Sequence, residues 1–184
     1  MAQSLVPVTV VVAFYSRCGS SETRALTAAV GAVNARALIR MRRMADVDAA
    51  QTLTDVSPAC RVDLARMHRE YVGPTEADIL GTDALILAVP AGFDASSPVW
   101  APLMSMLARL DAEGTLRGKV AAVVGGGSAS EAASFVSLLH DRGFLLVPAG
   151  AATPRAGDAS KPGHARAHGR LVAEISRALK SAAS

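Results

Sequence analysis

Residues 10–26 read VVVAFYSRCGSSETRAL, and three kinds of local order meet in them. The β-branched start, which extends back to Val8 and runs to Phe14, has no polar face. That is the pattern of a strand covered on both sides in a parallel sheet. Pro7 precedes it, where a missing ladder donor is harmless. From Glu22 to Val33 the apolar residues Ala25, Leu26, Ala29, Val30 and Val33 recur at helical spacing. Between strand and helix lies a turn of Ser16, Arg17, Cys18, Gly19, Ser20 and Ser21. Ser20 or Ser21 is placed to cap the helix, with Glu22 at its positive end.

A turn of small and hydroxyl residues at a helix start is suited to anions. Backbone N–H groups there favour negative charge. Ser16, Ser20, Ser21 and Thr23 can add hydroxyl donors, and Gly19 lets the chain turn close to a ligand. The Gly-Lys-Ser/Thr signature of triphosphate loops is missing, which points to a terminal monophosphate. The same residues carry a rival reading, because Cys18 and Arg24 stand at the C-x5-R spacing of cysteine phosphatases. A thiolate at a helix N-terminus would be activated. However, Cys18 lies several residues beyond the strand, no Asp-Pro acid pair follows, and Arg24 falls on the first helical turn. The turn is read as holding a phosphate, not attacking one.

The rest of the chain repeats this unit. Arg36 to Met41 reads as a weaker strand. Residues 45–75 show only one short helix, around Val62 to Tyr71. Strands follow at Ala84–Val89, Val120–Val124 and Phe144–Val147. Helices follow at Pro98–Leu110, with Pro98 in the first turn, at Glu131–Asp141, ended by Gly143, and at His164–Leu179. Residues 149–163, rich in Ala, Gly and Pro, read as loop. Strands and helices alternating at intervals of about 30 residues predict an α/β three-layer sandwich with right-handed crossovers. Five strands fit a five-stranded parallel sheet in the flavodoxin-like order 2-1-3-4-5, with the ligand at the carboxyl ends of the strands. The 184 residues fit one domain, residues 1–184.

That topology brings three loops to one rim. The second, Pro90, Ala91, Gly92, Phe93 and Asp94, offers backbone groups and one aromatic plane, as a flat heterocycle needs. The third, Gly125, Gly126, Gly127 and Ser128, permits close backbone approach.

Composition narrows the partners. A net charge of +3, with basic residues spread along the chain, gives no nucleic-acid footprint. The first apolar run is too short to span a bilayer and lacks a basic leader and cleavage-site pattern. Cys18 and Cys60, read as two thiols, indicate a reducing compartment, hence a cytoplasmic protein. His164 and His168, four apart, read as a solvated helix face and not as a metal pair. The methionines read as core filling, and Trp100 as core or subunit packing, with a place near the heterocycle as the alternative.

The stretch at residues 10–26 resembles the first strand and phosphate loop of flavodoxin-like proteins. DALILAVPAGFDASSPVWAPLMSMLARL, residues 83–110, resembles the WrbA-type NAD(P)H:quinone oxidoreductases and the related NADPH-dependent FMN reductases. LRGKVAAVVGGGSAS, LLHDRGFLLVP and HARAHGRLVAEI continue the likeness in order, over nearly the whole chain except residues 45–75. The resemblance implies bound FMN, NAD(P)H as co-substrate, two-electron reduction of a quinone-like acceptor, and a homo-oligomer, dimer or tetramer. Ser16 to Ser21 would bind the phosphate, Pro90 to Phe93 would border the ring and ribityl chain, and Gly125 to Ser128 would touch the ring's polar edge. Some positions differ from the family pattern. Ala91 and Gly92 replace Thr and Arg, and Asp94 replaces Gly. Arg142, with His140 two positions earlier, stands where the family has a ring-facing His.

Overall fold

Three runs of β-branched and small apolar residues form the centre of the sheet: β1 (Thr9–Phe14), β3 (Ala84–Val89) and β4 (Val120–Gly125). The computed structural model describes residues 6–148 and 162–183. In it, β2 (Leu38–Arg43) and β5 (Leu145–Leu146) close the edges. All pairings are parallel and the order is β2-β1-β3-β4-β5, the flavodoxin-like arrangement predicted from the sequence. Alternate residues of each central strand face opposite layers. Val10, Val12, Phe14, Ile86 and Ala122 point to one core, and Val11, Ala13, Leu85, Leu87 and Val123 to the other.

The first layer holds α1 (Ser20–Asn34), α3 (Pro58–Glu70) and α7 (Pro162–Ala182). Its tightest seam is made by glycines. A Cβ on Gly31 would lie 1.9 Å from Arg166 O, and one on Gly169 would lie 2.0 Å from Ala28 O. Helices this close exclude larger side chains from the contact. The buried face of α1 is therefore Ala25, Ala28, Ala29, Gly31 and Ala32. Leu26, Val30 and Val33, read from the sequence as part of the core stripe, are 43 to 53% exposed. The second layer holds α4 (Glu76–Leu80), α5 (Ala101–Ala112) and α6 (Ala129–Asp141). There Trp100 is fully buried, with its ring 5.1 Å from that of Phe135.

Several boundaries differ from expectation for local reasons. β2 begins at Leu38 and not Arg36, because Arg36 sits at φ 58 in the turn after α1. Its Arg40 and Arg42 are tolerated on an edge strand because both reach Asp78. α5 begins at Ala101 and not Pro98; the preceding residues form hydrogen-bonded turns, and Pro102 takes the first helical turn. Residues 45–75 hold α2 (Ala49–Asp55) as well as α3, and each starts on a side-chain cap, Asp48 and Ser57. His168 is not on a solvated face. It is 3% exposed, burial pushes its pKa down, and its Nε2 bonds Val147 O. The loop expected at 149–163 lies largely outside the described residues.

Candidate functional site

Because the sheet is parallel, the segments after β1, β3 and β4 lie at one edge. The three loops are nonetheless built differently, and the first is the most open. Gly19, at φ 83, precedes α1 and takes the cap position expected of Ser20 or Ser21, without a side-chain cap bond. Its carbonyl turns into the helix and accepts from Thr23 N and Oγ1. Thr23 is thus bonded back along its own helix and not into the loop. The Ser16 carbonyl is held from beneath by Arg43 Nη2 at 3.1 Å. Across a planar trans peptide, that turns the Arg17 N–H to the opposite side. Among the described residues, no backbone N–H from Arg17 to Glu22 has a protein acceptor. The Ser16 and Ser21 hydroxyls, on residues 2% and 0% exposed, have no partner either. Open amides are ordinary at an exposed helix start; the two buried hydroxyls without a partner are the unusual feature.

Glu22 could have closed this turn by bonding back to Gly19. It instead takes two bonds from Arg66, at 2.8 and 2.6 Å, and one from Tyr71 Oη. The Arg66 guanidinium holds its carboxyl below the usual range. Arg66 belongs to α3, which lies alongside the loop. Its other ties are the Cys18–Cys60 disulfide and a 2.7 Å contact of His68 Nε2 with Asp46. The two cysteines are therefore paired and not free thiols, and Cys18 has no thiolate to serve as a phosphatase nucleophile. The Asp46 side chain is fully buried, and burial alone would raise its pKa. Bonds from His68, Arg43 and Tyr15 outweigh that and keep it low.

Arg24, near the start of α1, reaches across to the third loop. Its Nη1 lies 3.3 Å from where a Gly125 Cβ would stand. It has no hydrogen bond or ion pair among the described residues. The exposed Ser20 and the half-buried Gly19 complete the turn.

In the second loop, Pro90 is half-buried, and Ala91 and Gly92 are exposed. Phe93 leans on the core and meets Tyr15 edge-on, ring centres 5.2 Å apart, with the Arg17 guanidinium above it. Asp94 is held within its own turn. Its carboxylate accepts from Ser96 N, Ser96 Oγ and Ser97 Oγ, and these bonds hold its pKa down.

The third loop is closed on itself and on the second. Gly125 and Gly126 adopt φ 92 and 87, and a Cβ on Gly125 would meet Val89 O at 2.4 Å. Gly127 packs on Ala91, whose Cβ would lie 2.7 Å from an added one. The Gly127 and Ser128 amides donate to Glu131, and Ser128 caps α6 in a reciprocal box. Ser134 accepts from Ala95 N and so ties the second loop to α6. His140 and Arg142 lie at the far end of α6, with Arg142 on Asp111 at the end of α5. Both are at the opposite edge from these loops.

The described residues define a flavodoxin-like α/β fold with an anion-receptive turn at the carboxyl edge of β1. No protein-family model and no curated protein sequence matches the chain; solved structures do. It is similar to a WrbA-like flavodoxin from Agrobacterium tumefaciens, at 17% identity over 95% of this chain and 98% of that one, TM-score 0.55. It is also similar to the Streptococcus pneumoniae TIGR4 flavodoxin, at 16% identity over 91% and 99%, TM-score 0.59. A third, the two-electron reduced flavodoxin of Megasphaera elsdenii, shows 16% identity over 90% and 98%, TM-score 0.58. At such identity the likeness is one of fold.

Proposed function

We propose that the chain binds FMN with its phosphate on residues 16–23 and serves in the cytoplasm as an NAD(P)H-dependent oxidoreductase reducing quinone-like acceptors by two electrons. The observation that carries this reading is the run of unpaired N–H groups from Arg17 to Glu22 beside the partnerless hydroxyls of Ser16 and Ser21. Such donors match the oxygens of a phosphate monoester, at the end of a helix whose dipole favours them. Arg24 would add charge from the side.

For the ring, Phe93 and Tyr15 would supply an apolar wall, and Pro90, Ala91 and Gly92 would border the ribityl chain without bulk. Asp94, turned onto Ser96 and Ser97, keeps its charge away from that wall. Glu131 would have to release Gly127 and Ser128 before those amides could serve the ring's polar edge. Bound FMN would supply the hydride chemistry, while the chain's residues position it and exclude water.

Glu131 also favours a second reading, a fold that holds the phosphate end of a ligand without robust reductase activity. Titrating the protein with FMN and with riboflavin, which lacks the phosphate, tests the anchor. FMN should bind tightly and riboflavin weakly, and equal binding defeats the phosphate assignment. Anaerobic mixing with NADPH and with NADH then separates the two readings. Bleaching of the bound flavin by either supports the reductase, and bleaching by neither leaves the binding protein.

A further inference from the structure

We propose that Cys18 and Cys60 form a thiol-exchangeable disulfide whose state sets the affinity of the first loop. Oxidised, it holds the loop ready for an anion; reduced by a low-molecular-weight thiol, it lets the Cys18 thiolate take the anion's place. The proposal rests on the reading of residues 16–23 as a phosphate seat. The pair is reachable, since Cys18 is exposed and Cys60 half-buried. It also joins two helix starts. Cys18 immediately precedes Gly19 at the head of α1, and Cys60 lies in the first turn of α3, its N–H on Ser57 Oγ.

A thiolate released at the head of α1 is an anion beside the N–H groups that a phosphate would use. The far half of α3 keeps its own anchors when the bond opens: Arg66 on Glu22, His68 on Asp46, and the buried Leu64 and Met67. The near half, residues 58–61, has no other bond to the first loop among the described residues. Opening the disulfide therefore releases Cys18 from α3 without undocking the helix, while Arg43 still holds the Ser16 carbonyl. A tether that fixes the loop in its receptive form also lowers the ordering cost of binding.

The chemistry balances as ordinary exchange. A small thiolate attacks Cys60 Sγ, the Cys18–Cys60 bond breaks, and Cys18 leaves as thiolate. A second thiol attacks the mixed disulfide at the small molecule's sulfur and releases Cys60. Overall, two small thiols become one disulfide, and the protein gains two electrons and two protons. An exposed disulfide is of the labile kind that small thiols can open.

The test is FMN titration of the full chain, oxidised and after dithiothreitol, with free thiols counted by alkylation and mass spectrometry. A Cys60→Ser variant is run in parallel. The oxidised chain should show no free thiol and bind FMN about tenfold more tightly than the reduced one. Cys60→Ser should bind like the reduced chain, with or without reductant. Two alkylatable thiols without reductant, or equal FMN affinity in both states, would each overturn the proposal. Equal affinity in both states spares the phosphate seat. Binding in neither state removes the seat and the gating with it.

Discussion

The first loop and the paired second and third loops occupy the same edge of the sheet but treat their hydrogen-bond donors in opposite ways. From Arg17 to Glu22 the backbone donors are left open. In the second and third loops most are taken up: Glu131 takes Gly127 and Ser128, Ser134 takes Ala95, Asp94 takes Ser96, and Ser97 takes Asp94. A satisfied donor set resists rearrangement, whereas an open one is free to take an acceptor. On the proposed reading the edge is an open anion seat beside a latched platform, and a ligand that uses the Gly127 and Ser128 amides must open the latch.

Alanine at two glycines breaks this contrast most sharply. Gly125→Ala places a methyl 2.4 Å from the Val89 carbonyl at φ 92. That carbonyl is also the acceptor for Gly126 N. Backbone must shift on both sides, at a cost of about 3 kcal/mol or more. Gly19→Ala meets nothing nearer than 3.7 Å. It carries only the left-handed backbone penalty, about 1–2 kcal/mol. Urea unfolding of the two variants measures the difference. Equal losses would mean the third loop is no more tightly latched than the first.

Arg24→Ala is the next largest effect, seen in binding and not in folding. Because Arg24 has no partner among the described residues, its removal should change stability by less than about 0.5 kcal/mol. A lost charge-assisted bond to phosphate, worth about 1.5–3 kcal/mol, should weaken FMN binding about ten- to hundredfold. Riboflavin binding should not change. An equal loss for both ligands would move Arg24 from the phosphate to the ring.

What the sequence made legible follows the same division. β1, β3 and β4 are apolar on both faces, which marks them as central strands, and their alternation with helices points to the flavodoxin-like order. The first loop was legible because its chemistry is local, a run of small and hydroxyl residues before a helix. The α1 face was misread because the helix packs through Gly31 and Gly169, which a search for large apolar residues passes over. Residues 45–75 were illegible because their anchors are distant polar pairs. Arg66 finds Glu22, His68 finds Asp46 and Cys60 finds Cys18, across 44, 22 and 42 positions. The latch did leave a signal: Ser128 and Glu131 stand at capping-box spacing. That spacing marks where the helix starts, but not that Glu131 also takes the Gly127 amide.

Glu131→Gln gives the smallest effect and bears on the latch itself. The variant keeps the shape and one acceptor oxygen while removing the charge that the Gly127 and Ser128 amides stabilise. Those amides, Gly127 foremost and Gly92 contributing, hold the Glu131 carboxyl below its ordinary value of 4.5. A depressed folded value means the carboxylate's contribution to stability is complete above about pH 4.5 and disappears as pH falls through that lower value. Wild type should therefore be the more stable protein near neutrality, and its advantage over Glu131→Gln should close with acidification below that pH. Weaker acceptance by the neutral amide leaves Gly127 and Ser128 easier to release, so the variant should bind FMN several-fold more tightly. Tighter binding without the acid-dependent gap would separate the latch from the charge. The gap without tighter binding would show that the ligand never needs those two amides, and that the seat and the platform work apart.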